Sequence, residues 1–156
     1  MINQGYPKLN LYTRKQLANA IRGKNLSFDE AIKLIDDCLA NKDNYWFDNQ
    51  EESKPDDDKW IRSASKTSLG KLQKRINQQI LAPHDNELPI FIYGGGGKKG
   101  IKNAAIALQG NNNKRTLLKV DMRRFFEHIA YEDVVRTLVC HCNCGKDVAQ
   151  IIAEIA

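Results

Sequence analysis

Apolar residues recur three and four positions apart along much of the chain, a spacing that predicts amphipathic helices. Leu17 and Ile21 share one face of a helix starting near Thr13, and Gly23 ends it. Ser27 and Glu30 have capping-box spacing and open a second helix. Its apolar stripe is Phe28, Ile32, Ile35 and Leu39, with Lys33, Asp36 and Asp37 towards water. Ser68 offers an N-cap for a third helix reaching about Leu81, with Leu69, Leu72, Ile76 and Ile80 facing inward. Pro83 stops it. Ile129, Val134, Val135 and Leu138 predict another helix, and a last one from about Lys146 to Ile155 buries Val148, Ile151, Ile152 and Ile155.

Strand signals are shorter and fewer. Trp60 to Lys66 predicts a short strand and a turn, Pro89 to Tyr93 is extended, and Leu117, Leu118 and Val120 form a strand ending on Asp121. The expected class is α+β, predominantly helical. Between the second helix and the first strand the chain turns acidic, and Glu51 to Asp58 has the composition of a mobile loop. Tyr45, Trp46 and Phe47 form an aromatic island there; packing is the common fate of such a group, and stacking on a base is the other.

Charge changes this picture more than length does. The 156 residues fit about one domain. The net charge of +5 hides a segregation, with 11 acidic and 3 basic side chains over 29–58 against 14 basic and 3 acidic over 59–126. A basic field of that extent attracts polyanions in a salt-dependent way. No run of 18 apolar residues occurs, and the N-terminus lacks the apolar core of a secretory signal, so neither a membrane span nor export is expected. The cysteines are clustered rather than spread as a disulfide framework, which favours a reducing cytoplasm.

Three stretches carry candidate chemistry. Asp121 closes an apolar strand, where a carboxylate is costly to bury unless it meets a cation or a metal. The arginines and phenylalanines that follow it suit a metal-bound phosphate and a flat or sugar-like ligand; a solvated strand end is the simpler alternative. Gly94 to Gly97 followed by Lys98 and Lys99 invites a phosphate-loop reading, but the glycine spacing is wrong and no Ser or Thr follows the lysines. A glycine turn that brings lysines to a nucleic-acid backbone keeps the same physics. Finally, Cys140, His141, Cys142 and Cys144 crowd four potential zinc ligands into five residues. Structural zinc sites separate two ligand pairs by a longer linker. A turn carrying reduced thiols is therefore expected, with zinc only through sharing between chains or with Cys38.

Three blocks in order, LGKLQKRINQQIL, YGGGGKKGIKNAAIAL and LLKVDMRRFFEHIAYEDVV, resemble reverse transcriptases of the bacterial retron and group II intron type over roughly residues 59–152. The resemblance implies the fingers of a right-hand polymerase with its first palm strand and following helices. On that division 1–50 is an N-terminal helical extension, 51–58 the acidic loop, 59–116 fingers-like, and 117–156 the start of a palm. It implies that Asp121 and the Met122 carbonyl hold catalytic Mg2+. Two-metal nucleotidyl transfer needs carboxylates that keep the ions about 3.5–4 Å apart. It further implies that Phe126 lies beneath the sugar of an incoming dNTP, and that Lys59 and Arg62 fall near cations that hold the triphosphate. Lys71, Lys74, Arg75, Lys98, Lys99 and Lys102 would contact RNA template and DNA primer.

Polymerases of this type carry a second acidic element, a Tyr/Phe-x-Asp-Asp hairpin, and no such sequence occurs here. One carboxylate cannot hold a two-metal centre. The chain is therefore expected to be inactive alone, with the remainder of the palm and thumb in the same parent chain or in a partner. A non-catalytic nucleic-acid-binding module, or half of a split enzyme, are the alternatives. Uncovered apolar palm faces would also suit a homodimer.

Overall fold

The computed structural model describes residues 6–51, 53, 61–87, 100–109 and 128–156. It is predominantly helical with one two-stranded sheet. Six α-helices run in order: α1 (Arg14–Arg22), α2 (Phe28–Asn41), α3 (Ser68–Ile76), α4 (Ile101–Gln109), α5 (Tyr131–Cys140) and α6 (Lys146–Ile155). Strands β1 (Phe47–Asp48) and β2 (Arg62–Ser63) pair antiparallel, with Phe47 opposite Ser63 and Asp48 opposite Arg62. No helix among the described residues is long and apolar enough to cross a membrane.

Local chemistry fixes the helix starts. Thr13 caps α1 and Ser27 caps α2, each in a reciprocal capping box, with Gln16 and Glu30 reaching back to the cap amides. Gly23 closes α1 at φ 54°, a conformation that only glycine adopts without strain. Two expectations change at α3. Its cap is Thr67, whose hydroxyl accepts the Gly70 amide, so Ser68 is the first helical residue. The α-helix also ends at Ile76, and the chain continues as a π-turn over Asn77–Leu81 and a 3-10 helix over Ala82–Glu87. Pro83 thus does not stop the winding but sits inside it, near the start of the 3-10 segment, where a missing N–H breaks no interior helical bond. Ile80 stays buried through the change of winding, as its spacing from Leu69, Leu72 and Ile76 requires.

The core is assembled from α1, α2, α3, α5 and α6 and the segments that adjoin them. Leu17, Ile21, Ile35, Leu69, Leu72 and Val148 are fully buried. Helix α1 packs on α2 and α3, and α6 packs on α1, α2, α3 and α5. The stripe of α2 is turned relative to expectation: Ala31, Ile35 and Cys38 lie at its centre, and Phe28, Ile32 and Leu39 flank it half-buried. The last helix has the predicted bounds, with Val148, Ile152 and Ile155 buried and Ile151 at the margin. Ile129 precedes α5 and is 41% exposed, so it is not part of that helix's inner face. In the aromatic island Tyr45 and Trp46 pack against the core, whereas Phe47 on β1 is exposed.

A strap formed by residues 6–12 is a feature the hydrophobic pattern does not announce. It lies along the turn between α5 and α6: the Leu9 amide donates to the Cys142 carbonyl at 2.8 Å, and the Gly145 amide to the Leu11 carbonyl at 2.8 Å. The Asn143 side-chain amide donates to both Asn10 Oδ1 and the Tyr12 hydroxyl, and the Tyr6 and His141 rings lie 4.9 Å apart. A Cβ on Gly145 would stand 2.4 Å from the Tyr12 carbonyl oxygen, so the strap docks against bare backbone.

One hydrogen-bond group couples this packing to pH. Asp37 accepts the Tyr45 hydroxyl at 2.6 Å and the Asn41 amide at 3.0 Å. These bonds, Tyr45's first, hold the Asp37 carboxyl below its ordinary 3.8. A depressed folded-state value means the contribution is complete above the ordinary value and is lost as pH falls through the folded one. The thermal midpoint is expected to drop below about pH 4, and Tyr45→Phe to reduce that drop. Parallel pH–stability curves for the two proteins, recorded by circular dichroism, would remove Tyr45 as the cause.

Candidate nucleic-acid interface

Helix α3 buries Leu69, Leu72 and Ile76, which leaves its outer face to the predicted cations. Lys71, Lys74 and Arg75 stand at helix spacings of three and four, on one stripe that continues to Gln78. Lys71 and Lys74 are exposed; Arg75 is half-buried because its guanidinium is engaged. Its Nη1 donates to the Ile21 carbonyl at 2.9 Å and the Arg22 carbonyl at 3.0 Å, covering two of the unpaired acceptors at the end of α1. The role expected of Arg75 thus shifts: it ties α3 to α1 as well as adding charge.

That contact creates a notch of about 260 Å³ between the end of α1 and the outer face of α3. Gly23, Lys24 and Asn25 form one wall; Lys71, Lys74, Arg75, Gln78 and Gln79 form the other. No carboxylate among the described residues lines it. Glu30 is in electrostatic reach of Lys71, and its carboxylate accepts the Ser27 amide at 2.8 Å. The hydrogen bonds from the Ser27 backbone and side chain lower its pKa most, and Lys71 and Lys33 contribute less.

Other expected site residues are placed apart from this notch. Arg62 is exposed on β2, with its guanidinium carbon 5.9 Å from the Trp46 ring centroid and its Nε 3.9 Å from an Asp48 carboxylate oxygen. Lys102 is exposed in the first turn of α4, just beyond Gly100, whose carbonyl accepts the Asn103 and Ala104 amides. Lys59, Lys98, Lys99, Asp121, Met122 and Phe126 lie outside the described residues, as do the glycine run at 94–97 and the strand expected at 117–120.

The cysteine cluster occupies the turn between α5 and α6 but does not converge. Cys142 and Cys144 are buried in the core, while Cys140 and His141 are exposed. Burial raises the thiols of Cys142 and Cys144, and raises Cys38 to about 11, so all three are held protonated. A zinc-bound cysteine must be deprotonated. Among the described residues no three His, Cys, Asp or Glu side chains are grouped to hold a metal.

Lys24, Asn25, Gln78 and Gln79 are the polar notch residues that sequence reasoning missed. Gln78 was within reach, since it extends the 71, 74, 75 stripe by one helical step. Lys24 carries no such signal, because its place depends on where α1 ends against α3. Together these features define a predominantly helical protein with a notch on one helix face that is lined, among the described residues, by cations and amides. No family model, curated protein or solved structure matches the chain.

Proposed function

We propose that the chain is the fingers and first palm segment of an RNA-directed DNA polymerase and that it binds RNA template and DNA primer. The polymerase part rests on the three ordered sequence blocks, and the polynucleotide part on one observation: Lys24, Lys71, Lys74 and Arg75 line a notch that no carboxylate of the described residues enters. Anionic backbones are held by such clusters through charge and counterion release. On this reading Asp121 and the Met122 carbonyl hold Mg2+, which would supply charge neutralisation at the reacting phosphate. Phe126 supports the nucleotide sugar, Lys59 and Arg62 face the triphosphate, and Lys98, Lys99 and Lys102 follow the template–primer backbone. A second reading, a nucleic-acid-binding module without catalysis, is favoured by the absence of any Tyr/Phe-x-Asp-Asp from the sequence.

Fluorescence anisotropy with a labelled RNA–DNA template–primer tests the shared part. Binding is expected at low salt and to weaken at least tenfold between about 50 and 200 mM salt. The Lys98→Glu, Lys99→Glu, Lys102→Glu combination should lose about tenfold or more in affinity. Nucleotide incorporation by this chain alone is expected to be nil. Failure to bind at low salt would overturn both readings; incorporation would overturn the need for a second acidic element.

A further inference from the structure

We propose that the notch between α1 and α3, on which the nucleic-acid reading rests, takes one unpaired polynucleotide strand, whereas the duplex contacts fall to Lys98, Lys99 and Lys102. The proposal rests on the chain being a nucleic-acid binder and is independent of its being a polymerase.

The end of a helix is ordinarily a poor place for an anion. Its last carbonyls carry partial negative charge, and the macrodipole repels a phosphate there. Here that obstacle is removed. Arg75 donates to the carbonyls of Ile21 and Arg22, so the terminus of α1 meets the notch through a guanidinium. Lys24 follows directly on the other wall, and Lys71 and Lys74 stand along α3. Neither Lys24 nor Lys74 has a salt-bridge partner among the described residues, so their charge is not spent within the fold. Glu30, which Lys71 reaches electrostatically, is held in its capping box.

The rest of the lining distinguishes a nucleotide strand from a simple anion. Asn25, Gln78 and Gln79 add three side-chain amides, each with donors and an acceptor. A lone inorganic anion needs donors only. A strand offers phosphates together with sugar hydroxyls and base edges, which need both. Two of those amides lie on the π-turn over Asn77–Leu81, and the Gln79 side chain lies 3.6 Å from where a Gly23 Cβ would be. Such π-turns within helical segments are frequent at functional sites.

Size and shape favour one strand over two. The notch, at about 260 Å³, lies just under the usual range for enclosed small-molecule sites. It is a cleft between two helical elements, which admits a single backbone. A duplex presents its phosphates on a convex cylinder and would ride over the rim. Single-strand sites combine this kind of cationic groove with groups that meet the bases.

The test compares two charge-matched variants of the whole chain by anisotropy, with labelled twelve-nucleotide oligouridine and oligothymidine as unpaired probes. Lys71→Glu with Lys74→Glu alters the notch. Lys15→Glu with Lys146→Glu changes net charge equally at exposed positions elsewhere. The notch pair is expected to weaken single-strand binding at least tenfold and to flatten the log–log salt slope by about 1.4, the value for two lost contacts on a single strand. The remote pair should change affinity less than threefold. Lys71→Gln with Lys74→Gln gives the same comparison if charge reversal disturbs folding, which circular dichroism monitors.

Equal losses in the two pairs would overturn the proposal in favour of a diffuse field, and no loss in the notch pair would overturn it outright. Template–primer binding that persists in a protein unable to hold either oligonucleotide would sink the notch and leave the polymerase reading standing. Loss of all nucleic-acid binding in the unmodified chain would sink both. The tighter of the two probes names the strand, RNA or DNA, that the notch takes.

Discussion

Gly70→Ala is expected to cost about 4 kcal/mol or more, placing it among the most damaging single substitutions a fold can receive. A Cβ at position 70 would stand 2.0 Å from the Ala64 carbonyl oxygen, 2.7 Å from its carbon and 2.9 Å from the Ser65 Cα. All three are backbone atoms and cannot swing aside as the end of a side chain could. Ala64 is itself buried, and its carbonyl accepts both the Thr67 amide at 3.0 Å and the Thr67 hydroxyl at 2.7 Å. Moving Ala64 away would therefore disturb the cap of α3. Moving α3 instead would drag Leu69 and Leu72 out of the core. The thermal midpoint should fall by roughly 10 °C or more in a chain of this size. Gly100→Ala is the control, because no described residue lies within 4 Å of its Cβ position, and a change within about 0.5 kcal/mol is expected. A Gly70→Ala protein that melts within two degrees of the original would show that the chain between β2 and α3 is free to yield.

Gly70 also shows which parts of the fold were open to sequence reasoning. Helices α1, α2, α5 and α6 were legible because each carries an apolar face at helical spacing, and α2 adds the capping box of Ser27 and Glu30. The centre of α2's buried face was less clear, since Ala31 and Cys38 contribute little hydrophobic signal although they sit deepest. In the hairpin, β2 falls within the short strand expected over Trp60 to Lys66, whereas β1 has only two residues, too few for an alternation to show. The strap over residues 6–12 is held in part by main-chain bonds, Leu9 to Cys142 and Gly145 to Leu11, and backbone contacts leave no trace in side-chain identity. The close approach of the strap at Gly145 is likewise invisible in the sequence.

The candidate site divides along similar lines. Lys71, Lys74 and Arg75 share a face by spacing alone, so their cationic stripe could be stated before any coordinates. That Arg75 covers the end of α1 could not, because its partners lie 53 and 54 positions away in the chain. Lys24 enters the site only through that long-range contact. The cysteine cluster shows the opposite case: four potential ligands within five residues invite a metal reading, yet the turn that carries them sends Cys142 and Cys144 inward and leaves Cys140 and His141 outside.

On the proposed reading the second large effect belongs to Asp121→Asn. In a polypeptide that joins this chain to a paired-aspartate hairpin, nucleotide incorporation is expected to fall by roughly a thousandfold or more, since several kcal/mol of charge stabilisation at the reacting phosphate would be lost. Asparagine matches aspartate in size and keeps one carbonyl oxygen, but it has no negative charge, and hard divalent cations select anionic oxygen ligands. Duplex binding draws on a different set of groups, the lysines at 98, 99 and 102, and should stay within about twofold. Primer extension and anisotropy on the same preparation separate the two. Incorporation that survives the substitution would remove Asp121 from the metal centre. Equal loss of synthesis and binding would instead make it a residue that maintains the fold, and the resemblance would then carry no catalytic role for this strand end.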